Sequence, residues 1–488
     1  MYTFATKRLS REGENRNECG IYGGQIFDIG LVLIRVWNRV HFSDDPEEIV
    51  RKPREEHVIR KSLFASICAI GLVAGLSAAS AETIRIAEHR QARIDALKAV
   101  VPDIEKKYGV TIEVVEYPAP EKDYLTKILT ELRAGNAPDI FTAPRGQDVA
   151  DMASAGYFAP ITSEVQGWDG YGQLFDVAKQ LVTGKDGQVF VLPAMLNVQQ
   201  LYYRRDILEK AGISTDQPKN WQDLLDRAKE IKTKTGDYGL LFPMGVTWGG
   251  GAFGEGFQHL IVGTSTPQLA NDDGSLNLNT EGVKDALGFY AELIKNDLMP
   301  IQPLLGPEPW VVPKYEMFPA GKLVATTCGS WCYIYDWGPK SKNPIPNVTS
   351  VVGTWLIPGK DSGAYVLVDV DSAWGVSAHA ANVDLAKKVL LELGSIKADI
   401  AYSQGLGNIP GRKDAAADPE FQKMTALVPV IAAVAKGKYL KTASGFSAVS
   451  EGVARATEAL LRKETDVAGA QKILVDYVKE TLGDEMVK

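Results

Sequence analysis

The stretch GKDGQVFVLPAMLNVQQLYYRRDILEKAGI, residues 184–213, decides how this chain is organised. Gly184-Lys185-Asp186-Gly187 has the composition of a tight reversal. A short apolar run comes next, Val189-Phe190-Val191-Leu192, and Pro193 stops it. Gln200-Leu201-Tyr202-Tyr203 is a second strand-like run. Arg205-Asp206 then lead into a short helix, Ile207-Leu208-Glu209-Lys210-Ala211, which Gly212 closes because that position needs a positive φ. The local content is strand, proline break, strand and helix.

Length and composition bound the rest. The 488 residues are 45% hydrophobic and 23% charged, an ordinary globular balance with room for two to three domains. The formal charge of -8 carries no basic excess, so nucleic acid is not an expected partner.

Residues 1–57 differ from the remainder of the chain, mixing Gly, Arg and Glu around one interrupted apolar run at 26–36, too short to span a bilayer. They are expected to be a disordered arm or a stretch that precedes the natural start. Arg54-Glu55-Glu56 can be encoded by a purine-rich run of ribosome-binding composition, and Val58 can be a GTG start. We therefore expect synthesis to begin at Val58, which N-terminal sequencing of the unprocessed precursor checks. Residues 58–81 have the parts of a secretory signal: Arg60-Lys61, an apolar run at 62–76, and Ala79-Ser80-Ala81 as cleavage site. Cys68 lies in the apolar run without the residues of a lipoprotein box. Cleavage after Ala81 places the mature chain in the periplasm.

Two cysteines remain, Cys328 and Cys332. An oxidising compartment and an even count favour a disulfide, whose small loop would mainly fix local shape. A metal pair and two free buried thiols stay open as alternatives.

The mature chain opens with an alternating strand, Thr83-Ile84-Arg85-Ile86-Ala87. Helical spacing predicts helices over 92–107 and 124–134, ended by Gly109 and Gly135, with strands at 110–115 and 137–141 and a third helix at 149–155. Strands alternating with helices argue an α/β fold with a parallel sheet. Further on, Asn220 and Thr280 are predicted N-caps, the second for a helix over 281–295; strands are expected at 238–243 and 365–370, and helices at 385–390, 453–462 and 467–482.

With those residues laid out, the chain resembles the solute-binding proteins of ABC importers, the maltose-binding, family 1 type. That family reads roughly D-G-x-x-Y-A-L-P, then Y-Y-N-K-D, then A-G-[IL]. Asp186-Gly187, Leu192-Pro193, Tyr202-Tyr203-Arg204-Arg205-Asp206 and Ala211-Gly212-Ile213 stand in register with it. Ala137-Pro138-Asp139-Ile140, Asn220-Trp221-Gln222-Asp223-Leu224 and Gly329-Ser330-Trp331 extend the resemblance over nearly all of 82–488. It implies a two-lobed α/β periplasmic-binding-protein fold of type II, with a ligand cleft and hinge closure. The expected lobes are 82–192 plus 369–409, and 193–368 plus 410–488. Crossings are expected near 192–193, 363–368 and 407–411.

Several motifs compete with this picture. Gly249-Gly250-Gly251-Ala252-Phe253-Gly254 matches G-x-G-x-x-G, but alone that is weak, and a flexible cleft loop or long turn is the better expectation. Asn271-Asp272-Asp273-Gly274 lacks the acids and Glu of a calcium loop and is expected to be a turn. Asp369 and Asp371 share a strand face and do not straddle a substrate as a hydrolase pair must, so Asp371 is expected to accept bonds from ligand hydroxyls. His89, His259 and His379 are isolated, with no nucleophile-base spacing among them. Aromatics carry more information. Trp331, Tyr333, Tyr335 and Trp337 cluster, and Trp248 and Trp310 lie in loops, where α/β clefts form. An aromatic plane suits the C–H face of a pyranose.

Carried over residue by residue, the resemblance makes His89 ligand-facing, beside Glu88 and Arg90, and Arg145 and Gln147 polar contacts after the third strand. Asn197 stands where maltose binders carry a Glu, so the resemblance does not carry the sugar itself. Trp248 stands near a second-lobe aromatic, Trp331 matches the stacking Trp, and Phe446 falls near another aromatic. Arg412 is added as a cation beside the last crossing. No catalytic residue, metal or cofactor is expected. The implied partners are a carbohydrate and the permease subunits of an inner-membrane ABC transporter, with the protein a monomer. An anionic sugar derivative or glycerophosphoryl compound, drawn by Arg145, Arg412 and His89, is the alternative ligand. A periplasmic carbohydrate-active enzyme and a chemoreceptor-feeding receptor are the alternative roles.

Overall fold

The computed structural model describes residues 82–184 and 186–488. The expected extension, the start at Val58 and the signal segment lie outside the described residues. Among the described residues, no helix is long and apolar enough to cross a membrane.

Alternation at the start of the mature chain becomes β1 (Thr83–Glu88), followed by α1 (Gln91–Tyr108), β2 (Thr111–Glu116), α2 (Glu121–Ala134), β3 (Ile140–Ala143) and α3 (Gly146–Ser154). The helical spacing of α1 turns Ile94, Leu97, Val100 and Ile104 inward. Gly109, at φ 65°, ends that helix by donating its N–H to the Glu105 carbonyl. The first sheet runs β2-β1-β3-β10-β4, with β4 at Val191–Pro193 and β10 at Ala373–Val376. Its first three strands are parallel, and β10 enters antiparallel between β3 and β4.

The second sheet is built on β5 (Leu196–Arg204). This strand is buried on both faces, which is why LNVQQLYY does not alternate. β6 (Ala325–Gly329), β7 (Val352–Trp355) and β9 (Ala364–Val370) pair antiparallel to it, while β8 (Ile357–Pro358) and β11 (Gly437–Lys438) pair with β9. Around it pack α4 (Trp221–Thr235), α5 (Glu281–Lys295), α8 (Phe446–Leu461) and α9 (Val467–Leu482); α6 (Val383–Leu393) and α7 (Ile396–Leu406) cover the first sheet. Asn220 and Thr280 are N-caps as expected, accepting the Asp223 and Val283 N–H groups at 2.9 and 3.2 Å. Residues 271–274 form the expected turn, closed by the Ala270–Leu276 bridge.

Two large cores result, one under each sheet. A third, smaller core joins Leu196, Val198, Val366, Val368 and Ile409 to Phe421, Leu427 and Val430. Residues 413–436, expected with the second lobe, thus pack on the crossing strands.

Three crossings link the sheets, and they are bonded to one another. Ala194 donates its N–H to the Ser372 carbonyl at 3.0 Å, and Asp371 donates to Met195 at 3.2 Å. Leu196 and Ile409 exchange bonds of 2.7 and 3.2 Å. The second crossing falls at Asp371-Ser372, later than the expected 363–368, because β9 keeps pairing with β5 through Val370. Ser372 has a left-handed backbone at φ 66°, which serine composition does not announce.

Two local expectations are corrected. Residues 238–243, expected as a strand, make only isolated bridges, Tyr238 to Leu323 and Leu241 to Thr326. The glycine run is neither a flexible loop nor a dinucleotide turn: Ala252–Phe257 is a wide helical turn. A Cβ on Gly256 would sit 2.0 Å from the Pro243 carbonyl oxygen, so glycine there permits close backbone packing.

Candidate functional site

The loops at the carboxyl ends of β1 and β3 meet the second lobe at Gly250 and Gly254, and the junction forms the base of the candidate site. Arg145, after β3, aims its Nε at Glu121 Oε1, 2.9 Å away at the start of α2. Arg90 reaches the other Glu121 oxygen at 3.5 Å. On the far side, a Cβ at Gly254 would lie 2.9 Å from Arg145 Nη1, and one at Gly250 would lie 3.3 Å from its Nε. Glycine at both positions therefore lets the guanidinium lie against second-lobe backbone. Gln199 donates to the Gly254 carbonyl at 3.1 Å. Asn197, two residues earlier on β5, shares its face and sits opposite Asp369 in the ladder. Asp369 closes the base from the hinge side, its Oδ1 3.0 Å from where a Gly146 Cβ would be.

Charge in this base is balanced by pairing. Burial pushes the Glu121 carboxyl up, but Arg145 and Arg90 outweigh it and hold it at about 2. Burial works against the Arg145 charge, and Glu121 with Glu255 raises its pKa nonetheless. Glu255 in turn binds Lys314 Nζ at 2.7 Å. Burial, with the Glu121 charge, pushes Asp148 up to about 8, and burial pushes Asp369 up to about 6. Two acceptors at the base, Asn197 Oδ1 and Gln199 Oε1, are buried with no hydrogen-bond partner. Buried acceptors of that kind are costly unless a donor arrives.

The expected site residues separate into groups. Arg145 and Asn197 line this base, Asn197 7% exposed, while Gln147, 4% exposed, is buried in the first turn of α3. Trp331 is half-buried, its ring folded back over Gly329 and its Cα beside Gly407. Ser330 Oγ lies 3.3 Å from Asn408 Oδ1, so this loop touches the last crossing. Trp248 is buried edge-on to Trp310 at 6.4 Å, with Lys314 Nζ 5.5 Å over its ring. Asp371 sits on the second crossing, accepting from Asn408 and lying 3.5 Å from Arg93.

Three residues lie elsewhere. His89 is 2% exposed and stacked on Tyr124 at 4.3 Å, inside the first lobe. Burial holds its imidazole below the ordinary range. The group it accompanies is structural: Glu88 accepts the His89 and Arg90 N–H groups at 2.7 and 3.1 Å and pairs with buried Arg93 at 3.0 Å. Arg412 spends its guanidinium on Asp414 and the Gly394 carbonyl, over the Trp168 ring, so the last crossing is clamped to the first lobe and no donor is directed at the cleft. Phe446 is fully buried, edge-on to Phe253 at 6.3 Å, because it opens the core-facing stripe of α8.

Cys328 and Cys332 form a disulfide, their Cα atoms 6.4 Å apart, bracketing the Trp331 loop. Asp336 completes a buried group of possible metal ligands with them. With the sulfurs bonded to each other, the thiolates a soft metal needs are consumed.

Glu121, Gln199, Glu255 and Lys314 join the base without being among the expected site residues. Gln199 was within reach, since i and i+2 on a strand face the same way. The others join the base only through folding.

Comparisons with known proteins agree with this architecture. Residues 99–429 match a family described as bacterial extracellular solute-binding protein. The chain is 27% identical over 220 residues to the putative ABC transporter periplasmic-binding protein YcjN of Escherichia coli, covering 44% of this chain and 48% of that relative, about half its length. It is 25% identical to a maltooligosaccharide ABC transporter solute-binding lipoprotein of Streptococcus pneumoniae, over 73% of this chain and 79% of the other. Maltose-bound MalE3 of T. maritima superposes with a TM-score of 0.68 at 19% identity, over 82% of this chain and 100% of that one. The two-lobed α/β fold expected from the sequence is the fold observed.

Proposed function

The chain belongs to the bacterial extracellular solute-binding proteins, and from that premise we propose that it is the substrate-binding component of an ABC importer. It captures a sugar or small oligosaccharide between its lobes and delivers it to permease subunits in the inner membrane. The observation that carries the ligand class is the pair of buried, unpartnered acceptors Asn197 Oδ1 and Gln199 Oε1 between charged groups already neutralised by pairing. A polyhydroxylated neutral ligand supplies the missing donors without adding charge. Arg145, Gln147, Asp371, Trp248 and Trp331 are the remaining proposed contacts, with Trp331 offering a ring face. Export to the periplasm, cleavage after Ala81 and a monomeric state belong to the same proposal. No covalent chemistry is assigned: Glu121, held ionised far below neutral pH, is unsuited to act as a general acid.

A thermal-shift screen of the mature protein against mono- and oligosaccharides, polyols and sugar acids tests this, since native-state ligands raise the melting point. A hit that stays chemically unchanged during incubation supports the receptor; a hit that is consumed overturns it in favour of an enzyme. Arg90 and Arg145 favour a second reading, an anionic sugar derivative or glycerophosphoryl compound. Shifts confined to charged members of the panel would select it.

A further inference from the structure

α3 and α8 belong to different cores. Val149 and Met152 anchor α3 under the first sheet, while Phe446, Val449 and Val453 anchor α8 under the second. Between the two helices runs a set of hydrogen bonds that the ligand contacts do not use. The Gly445 N–H donates to Asp151 Oδ1 at 2.7 Å, and the Ser447 N–H donates to Asp151 Oδ2 at 3.3 Å. Beside them, Thr442 Oγ1 donates to the Gly146 carbonyl at 3.1 Å.

The arrangement is a helix cap supplied from another lobe. A helix leaves its first N–H groups without intrahelical partners, and a side chain at the N-cap normally takes one of them. α8 has glycine there, Gly445 at φ 91°, and no side-chain cap of its own. The carboxylate of Asp151 fills that role with both oxygens. Its negative charge also faces the positive end of a sixteen-residue helix. Because the cap and the helix are rooted in separate cores, rotation about the three crossings pulls them apart. Such bonds weaken steeply once donor and acceptor separate beyond hydrogen-bond distance.

We propose that Asp151 is a positioning residue for lobe closure, a latch that completes the α8 cap only when the lobes are together; this rests on the hinge-closing receptor of the proposed function. Thr442 is its smaller companion. The latch favours closure independently of the ligand, and so sets how often the empty protein visits its closed state. A ligand bound in the cleft gains affinity in proportion to that population.

The test places spin labels on one exposed position in each lobe of the full mature chain, Lys122→Cys in α2 and Lys342→Cys beyond Trp337, and measures distance distributions without ligand. The wild-type background is expected to contain a short-distance population. Asp151→Ala removes both accepting oxygens; it is expected to lower the closed-to-open ratio roughly 2- to 30-fold, the range that helix-cap losses to alanine span. Thr442→Val is expected to act in the same direction and less. Urea unfolding of the same variants separates a latch from a local helix effect. An Asp151→Ala protein that is less stable yet has an unchanged distance distribution overturns the latch, because the cap would then be made in both states. A wild type with no short population overturns it too. A wild type whose single distance no saccharide of the panel alters refutes hinge closure itself, and with it the receptor reading.

Discussion

Arg93→Met is the most informative single substitution in the first lobe. Arg93 is completely buried, with its guanidinium on Glu88 at 3.0 Å, on Asp371 at 3.5 Å and on the Ser372 hydroxyl. Glu88 is equally buried, and burial alone pushes its carboxyl up; Arg93, with help from His89, brings it down from 4.5 to about 2. A depressed carboxylate contributes stability above its unfolded pKa and loses it as pH falls through the folded value. Here the lowering from 4.5 to about 2 corresponds to stability on the order of a few kcal/mol at neutral pH. Methionine keeps most of the volume and strands the carboxylate. Breaking a buried pair in this way costs roughly 3–5 kcal/mol. Without Arg93 the Glu88 carboxyl is governed by desolvation, so its folded pKa rises above 4.5 and its ionised form becomes a penalty. That penalty is full above the raised pKa and vanishes below 4.5. Urea unfolding at about pH 7.5 and about pH 4.5 should therefore show a large gap between wild type and variant that narrows in acid. Glu88→Gln added to Arg93→Met should recover part of the loss at the higher pH. A gap of equal size at both pH values would refute the reasoning and assign the role of Arg93 to packing. A gap below roughly 1 kcal/mol would show that the pair is not a buried one in solution.

Asp148→Asn should move stability the other way: with the folded pKa raised to about 8, the fold keeps Asp148 protonated while the unfolded chain ionises it, so its cost grows between pH 3.8 and 8. The variant should be more stable than wild type near the top of that window and equal to it at the bottom; a loss at both ends in urea titrations would mean that its capping bond from the Arg145 N–H outweighs the desolvation. Gly329→Ala puts a Cβ 1.7 Å from Trp331 Cζ3, so the ring must swing away. Tryptophan emission should shift and binding of the best thermal-shift hit should weaken roughly 3- to 10-fold; unchanged affinity would remove Trp331 from the site. Reducing Cys328–Cys332 should cost roughly 2 kcal/mol or less, because the closed loop is short. A melting-point loss several-fold larger than that implies would show the disulfide supports more than its own loop.

How far the sequence carries depends on the range of the interaction. α5 has the expected bounds because its cap, its apolar spacing and its end all lie within 280–296. Strand and helix order in the first lobe followed from the same local signals. Arg145 and Asn197 occupy loop and strand positions that a resemblance can transfer, and they stand as proposed contacts. Glu121 and Glu255 escaped because each is defined by a cation distant in sequence, and no periodicity records such pairs. Arg412 was misplaced although a signal stood nearby: Asp414, two residues on, takes its guanidinium. Phe446 was placed by register with an aromatic and not by the stripe of α8, which would have turned it inward.

The three crossings between the lobes govern how the molecule can move. Separate tethers would let the halves swivel, slide and rock independently. Backbone bonds between Ala194 and Ser372, Asp371 and Met195, and Leu196 and Ile409 turn these tethers into a narrow ribbon. Strands bonded to one another have fewer independent displacements than three free tethers. The crossings would then set the path along which the halves part, while the Asp151 bonds to α8, away from that ribbon, would set where on the path the empty protein rests.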